Sequence, residues 1–534
     1  MIRALSGVRR LHSNSFSSRR KTIKNKTAKT ARKFHPLAFH IGISCGIVFL
    51  YFFNRSVAWF KSTFDVGIEQ IAYTIQSPLK GGNIEFFATL SDFVSAGTVA
   101  ILVASYAAFA ILYEFIFSKN RTRLSVSVRN KSFSIDVYRA LRIVIRLLIF
   151  VFFVVQTFDA CVALQLGKYI SSRREKSTLY ENFYRAPKGE GVKGDGKNLI
   201  YIYLESMEVT YASEAEGGHQ AENNYIPHLT ALAHDNVNFS AGEGLGGFRV
   251  TKGSTWTMGA IFSTSSGIPF AFPIEANKSD LYEAVGKKVV ALGDILEEKG
   301  YAQEFLCGSN GNFAGRKQFF EQHGNFKVFD LFSARDAGYV DDDYYVWWGL
   351  EDEILYSIAR DELTRLAAQN EKFNFTMLTA DTHHVGGYIC KKCGNEFPTP
   401  LENVIACADR QLYEFVAWIS KQDFFDDTLI VVSGDHRRMD KLLVEGIDNA
   451  DRFIYNCFIN ANAQEGFAAK GREFTSLDIF PTVLSAMGFE LSDNRMGLGT
   501  NLFSGEKTLS EELGFARLNE ELSKRSTFYE KNFY

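Results

Sequence analysis

Apolar and polar positions follow two different regimes along this chain. In the N-terminal third, residues 34–54 and 93–113 contain no Asp, Glu, Lys or Arg, and residues 147–167, "LLIFVFFVVQTFDACVALQLG", contain only Asp159. At 1.5 Å per helical residue, each run spans the roughly 30 Å of a bilayer's hydrocarbon core. The pattern predicts three membrane helices, at about 37–54, 93–113 and 147–167, forming an anchor over 37–167. From Asn198 onward, short apolar runs replace the long ones: "NLIYIYL", "AQEFLC", "FNFTML", "DTLIVVS" and "FIYNCFI". They alternate with segments of helical period such as "LGDILEEKG", "ENVIACADRQLYEFVAWISKQ" and "SLDIFPTVLSAMG". Strands apolar on both faces are covered on both faces, so this region is expected to be an α/β domain around a largely parallel sheet. Residues 168–197 are polar and rich in Gly and Lys towards their end, which predicts a linker; 506–534 are expected to be a C-terminal tail.

Charge orients the anchor. Eleven of the chain's 59 Lys and Arg lie in residues 1–36, which hold none of its 61 Asp and Glu. Cytoplasmic loops collect basic residues, and Lys119, Arg121, Arg123, Arg129, Lys131, Arg139, Arg142 and Arg146 mark 118–146 as a second cytoplasmic segment. Three crossings then place everything after about residue 168 on the outer side. The basic tail is accounted for by this topology, so a nucleic-acid partner is not expected. Asp159, near the outer end of its helix, reads as a wetted interfacial residue.

Three of the expected strands run directly into chemically capable residues: "NLIYIYLES", "FNFTMLTADTHH" and "TLIVVSGDHRR". In open α/β sheets ligands gather at the carboxyl ends of strands, which would place Glu205, His383, Asp435 and His436 on one rim. Glu205, Asp435 and His436 offer two oxygen ligands and one nitrogen ligand, a set that suits manganese or zinc. The stretch "TKGSTWTMGAIFSTSSGIPF", residues 251–270, carries eight hydroxyl side chains. Most are expected to serve turns and caps. A threonine hydroxyl becomes a nucleophile only beside a base or a metal ion, and one here could supply the metal's fourth ligand. "CKKC" at 390–393 has no second Cys-x-x-Cys to complete a four-cysteine zinc site, and a structural disulfide, Cys393 with Cys407, is the expectation.

Taken in order, "NLIYIYLES", "GSTWTMGAIFSTSSGIP", "LTADTHH", "VVSGDHR" and "MGLGTNLFSG" resemble the sulfatase-fold branch of the alkaline phosphatase superfamily. Within it they look most like membrane-anchored phosphoglycerol transferases that decorate periplasmic glucans, relatives of the lipoteichoic acid synthases. The resemblance covers about 198–505. It implies a sulfatase-like catalytic domain there, an α/β fold with a mostly parallel central sheet behind three transmembrane helices, in a bacterial inner membrane with the domain in the periplasm. It implies Glu205, Asp435 and His436 as ligands of one divalent metal, manganese first, with zinc and magnesium as the other choices. It implies Thr257 as both nucleophile and metal ligand, because Thr257 matches the Thr of a "GSxWT" pattern and Gly267 follows at the family's spacing; Thr255, in "GST", is the competitor. His383 would hold the transferred phosphate, with His384 as the weaker candidate, and Arg316 would lie near the glycerophosphate. Trp347 and Trp348 could stack on a sugar or headgroup. The chain departs from the pattern at Thr500, where relatives often carry Arg, and ends short of the extra C-terminal region of longer glucan-modifying relatives.

The implied reaction moves glycerophosphate from phosphatidylglycerol to a glycan through a phospho-threonine, with the helices holding the site near lipid headgroups. A phosphoethanolamine transferase would resemble "CGTxT", and no cysteine stands in "GSTWTMGAIFS". A sulfatase activity would require "CxPSR", which is absent from the same stretch. A catalytically inactive scaffold or sensor would be expected to have lost metal ligands.

Overall fold

The computed structural model describes residues 38–61, 94–119, 123–128, 131–271, 286, 288–462 and 466–533. The basic tail, 1–36, lies outside them. The described chain falls into two units.

The first contains three helices long and apolar enough to cross a membrane, Ala38–Lys61, Ala96–Phe117 and Val137–Ala163. The third starts ten residues before its expected position, because Arg139, Arg142 and Arg146 are helical rather than flanking. Asp136 caps it by accepting from the Arg139 amide at 3.0 Å. Arg142 lies over the Phe117 ring at 5.3 Å and Arg146 over Phe39 at 5.2 Å, so their stems run along apolar surface. The basic segment before this helix is an antiparallel hairpin, Arg123–Val128 with Lys131–Asp136.

The second unit is built on a seven-stranded sheet. Its strands are β1 (Asn198–Leu204), β2 (Gly247–Phe248), β3 (Ala302–Cys307), β4 (Lys327–Phe329), β5 (Phe373–Leu378), β6 (Thr428–Gly434) and β7 (Ile454–Ile459). They lie in the order β2-β7-β6-β1-β5-β3-β4. Pairs from β6 to β4 are parallel, and β7 is antiparallel to β6 and to β2. Every residue of β1, β5, β6 and β7 is buried, as expected for strands covered on both faces. On one face Ile200, Ile202 and Leu204 join a core with helices α2 (Asp352–Ala367) and α3 (Pro400–Ile419). On the other, Tyr203 shares a 2.8 Å hydrogen bond with Thr264 of the buried helix α1 (Thr257–Ser266).

The regions expected to be linker and tail form short helices: Leu166–Arg174 and Leu179–Phe183, then Leu509–Leu513, Phe515–Ser523 and Thr527–Phe533. Aromatic packing joins the second and the last of these. Tyr180 stacks on Phe528 and meets Tyr529 edge-on, and Tyr529 donates to the Pro269 carbonyl at 3.0 Å. The expected Cys393–Cys407 disulfide is not formed. Both are free thiols, and Cys390 lies between them, 3.7 Å from the Cys393 sulfur and 3.8 Å from that of Cys407.

Candidate active site

Sheet register assembles the site. Leu204 pairs with Gly434 and Tyr203 with Leu378, so β1, β6 and β5 end level and release Glu205, Asp435-His436 and the segment to His383 onto one rim. The ligand atoms of Glu205, Asp435 and His436 all lie within 4.8 Å of one another, and all three residues are buried. Thr257, the first residue of α1, is the hydroxyl brought to them: its Oγ1 is 3.3 Å from Glu205 Oε2 and 3.3 Å from His436 Nε2. Thr255 precedes the helix and is partly buried.

The backbone around this cluster holds each group by its far side. Asp435 Oδ1 accepts from the Ser206 amide at 2.8 Å and the His436 amide at 2.7 Å, whereas its buried Oδ2 has no hydrogen-bond partner among the described residues. A buried carboxylate oxygen without a donor is costly, and it lies on the side of His436 Nε2, 3.3 Å away. His436 donates from Nδ1 to the Arg437 carbonyl at 2.8 Å, which leaves Nε2 directed at the cluster. Glu205 Oε1 accepts from Ser206 Oγ at 2.7 Å, its amide donates to Thr379 Oγ1 at 3.0 Å, and its carbonyl accepts from Thr382 Oγ1 at 2.5 Å. Two carboxylates, an imidazole nitrogen and a hydroxyl converging with one orphaned oxygen are the donor set of a divalent-cation site, and the residues present fit such an ion.

The charges agree with that fit. Burial, reinforced by the Glu205 charge, pushes Asp435 up to about 7. Burial also acts to raise Glu205, but His383 and His436, with hydrogen bonds from Ser206 and Thr257, hold it below the ordinary carboxylate value. His436 is raised despite its burial, because Asp435 and Glu205 face it. The cluster therefore retains protons that a metal ion would displace.

Most of the other hydroxyls in the 251–270 stretch are structural. Ser263, Thr264, Ser265 and Ser266 donate back to carbonyls of their own helix, and Ser254 bonds Thr251 at 2.8 Å and Ser476 at 3.0 Å. The turns at either end require glycine. Gly253 has φ +86° and a Cβ there would lie 2.6 Å from the Phe270 carbonyl oxygen; Gly267 has φ +68° and a Cβ would lie 2.5 Å from that of Met496.

His383 donates from Nδ1 to the His384 carbonyl at 2.6 Å, and burial lowers its pKa against the pull of Glu205. Its ring stacks on His384 at 4.1 Å and faces Trp348 at 4.4 Å. Burial also holds His384 well below the ordinary histidine value. Arg316 is buried, donates to Ser309 Oγ at 2.8 Å and to the Asn310 and Phe313 carbonyls, and lies over the Phe313 ring, which meets Trp348 at 5.4 Å. Trp347 lies near Tyr388. Sequence patterns did not single out Ser206, Thr379, Thr382 or Arg438, the last fully buried and donating to the Thr382 carbonyl at 2.9 Å. The only signal for the first three was their position beside the expected ligands.

Comparison with known proteins places this geometry. Residues 197–489 match the model of the sulfatase family. Over 352 residues, 64% of the chain, the sequence is 30% identical to a phosphoglycerol transferase I of Salmonella choleraesuis, and to that of Salmonella typhimurium at the same identity and coverage. The match spans 43% of those relatives, so the chain covers less than half the length of the curated proteins it resembles. Among solved structures it aligns with the lipoteichoic acid synthase LtaP from Listeria monocytogenes at 18% identity, covering 61% of this chain and 81% of that one, with a TM-score of 0.47.

Proposed function

Because this chain belongs to the sulfatase family, with an alkaline phosphatase-like fold behind three apolar helices, we propose that it is a membrane-anchored phosphoglycerol transferase. It takes glycerophosphate from phosphatidylglycerol and passes it to a periplasmic or cell-surface glycan. The chain would span a bacterial inner membrane, with the catalytic domain in the periplasm. The names carried by its relatives support the transferred group. The observation that carries the reading is the Thr257 hydroxyl, 3.3 Å from both Glu205 and His436 at the head of a ten-residue helix.

A single divalent ion, manganese by preference, held by Glu205, Asp435, His436 and Thr257 Oγ1, would supply the charge that eases deprotonation of the hydroxyl and offsets the phosphoryl oxygens. Thr257 Oγ1 attacks phosphorus, the bond from phosphorus to the diacylglycerol oxygen breaks, and glycerophospho-threonine remains. The amino end of α1, with its positive dipole, faces that phosphate. His383 has its Nδ1 hydrogen committed to His384 and burial favours its neutral ring, so Nε2 is the atom that takes up the proton Thr257 gives up and delivers it to the departing diacylglycerol oxygen. An acceptor hydroxyl then attacks the same phosphorus and Thr257 leaves. Arg316 and Trp348 shape the glycerol side of the pocket. The "CxPSR" stretch that sulfate-ester hydrolysis would require is absent.

The test is the intact mass of the full chain in detergent after incubation with manganese and phosphatidylglycerol. Wild type and Thr255→Ala should gain one glycerophosphoryl group and release diacylglycerol, while Thr257→Ala should do neither. An adduct on Thr257→Ala would overturn the nucleophile. A phosphoethanolamine adduct from phosphatidylethanolamine in its place would overturn the donor, and no adduct with any lipid would favour a non-catalytic role.

A further inference from the structure

A second cluster of metal-capable side chains lies outside the catalytic rim. Cys390 and Cys393 belong to the segment between β5 and α3, residues 379–399, which carries His383 and His384 and has no helix or strand of its own. Cys407 lies two turns into α3. The three sulfurs lie within 4.8 Å of one another, with Cys390 3.7 Å from Cys393 and 3.8 Å from Cys407. A tetrahedral zinc ion, with bonds of about 2.3 Å to sulfur, sets its sulfurs about 3.75 Å apart, so these two edges already have that spacing. The fourth corner is also marked. Gln411, one turn beyond Cys407 and buried, places its carboxamide nitrogen 3.5 Å from the Cys407 sulfur and 3.7 Å from the Cys390 sulfur, and its buried carboxamide oxygen has no hydrogen-bond partner among the described residues. For an oxygen ligand and a sulfur ligand on one zinc ion the expected separation is about 3.6 Å. A half-turn of the carboxamide would bring that oxygen to this corner.

We propose that Cys390, Cys393 and Cys407 bind one structural zinc ion, with the Gln411 carboxamide at the fourth corner, and that it clamps the histidine-bearing segment onto helix α3. Binding is a proton exchange: thiols lose their protons to solvent as sulfur–zinc bonds form, and nothing is oxidised. Cys390 and Cys407 are buried while Cys393 is partly exposed, which gives the ion a path in. The Cys393 amide donates to the Cys390 carbonyl at 3.1 Å, closing the Cys-x-x-Cys turn before any metal arrives. A 21-residue segment without regular structure is otherwise held by few backbone bonds. The ion would add a constraint to the segment that carries His383.

The test separates this ion from the one at Glu205, Asp435 and His436 by its ligands. Cobalt added to the metal-depleted full chain in detergent should give the intense near-ultraviolet band of thiolate-to-cobalt charge transfer. The band should be lost in Cys407→Ser and kept in Asp435→Asn. The purified wild type should carry one more zinc per chain than Cys407→Ser, and removing it should speed amide exchange across 380–399. If Cys407→Ser fails to fold, the cobalt spectrum of the wild type decides alone. Absence of the band, equal zinc in both chains, copper in place of zinc, or a mass two hydrogens short with a pair of these cysteines resistant to alkylation would overturn the proposal, the last by showing a disulfide.

Discussion

Replacing Asp435 by Asn should separate what that residue does for the fold from what it does for the site. Oδ1 of the side chain accepts two backbone amides, and an asparagine oxygen in the same place can accept both. The lost atom is Oδ2, which has no hydrogen-bond partner among the described residues. Without metal the ionised carboxylate opposes folding: its pKa rises from 3.8 to about 7 through burial first and the Glu205 charge second. At about 1.4 kcal/mol for each tenfold change in the ionisation constant, that is about 4 kcal/mol. The folded state binds the proton more tightly than the unfolded chain, so stability falls as pH rises between those two values and the full cost applies above pH 7. In EDTA at pH 8, Asp435→Asn should therefore be more stable than wild type, by up to about 4 kcal/mol. The gap should narrow as the pH is lowered towards 5. Manganese should reverse the order, raising the thermal midpoint of the wild type and leaving that of the variant almost unchanged. The assay is thermal unfolding of the full chain in detergent across that pH range, with and without metal. A variant less stable than wild type in EDTA at pH 8, or one that gains the same rise from manganese, would refute the reasoning.

Manganese binding measured calorimetrically should weaken by roughly tenfold or more from pH 8 to pH 6, because His436 is raised above its ordinary value and Asp435 titrates at about 7, so protons compete for both ligands; a pH-independent affinity would contradict this site. Gly267→Ala, which forces a Cβ to 2.5 Å from the Met496 carbonyl oxygen at φ +68°, should cost at least about 2 kcal/mol in urea unfolding. Trp348→Ala removes a ring 4.4 Å from His383 and 5.4 Å from Phe313. It should lower kcat with phosphatidylglycerol about tenfold or more while leaving manganese affinity within about twofold, as expected of a residue that orients rather than ligates; equal loss of both would assign it to the fold.

The sheet was legible because β1, β5, β6 and β7 are apolar on both faces, a pattern that survives without knowledge of their neighbours. The convergence of Glu205, Asp435 and His436 was legible for a related reason: parallel strands that end level deliver whatever follows them to one rim. Edges read less well. The third apolar helix takes in three arginines that a charge count assigns to its flank, and the short helices Leu179–Phe183 and Thr527–Phe533 meet through aromatic contacts between residues over 300 positions apart. Local composition carries no trace of such a contact. The cysteines show the same limit: the sequence reading joins Cys393 to Cys407 as a disulfide, but only the placement of α3 brings Cys390 between them and Gln411 beside them.

Arg438 shows what the rim needs beneath it. Two carboxylates ending adjacent parallel strands repel each other, and the segment bearing His383 has to be fixed against them without regular structure. Arg438, fully buried, meets the second of these needs. Its amide donates to Glu208 Oε1 at 2.7 Å, its guanidinium pairs with Asp440 from Nε at 2.6 Å, and a third bond reaches the Thr382 carbonyl at 2.9 Å, one residue before His383. Arg452 closes the network from β7's side, binding Glu208 and, at 2.9 Å, the Arg438 carbonyl. Each charge is paired and hydrogen-bonded, the condition under which buried ions persist. Strand β6 and the histidine segment are thereby joined through one side chain whose removal would leave Asp440 buried without its guanidinium partner. The positions of Asp435-His436 and of His383 are therefore mechanically coupled through a residue that touches none of the proposed metal ligands with its guanidinium.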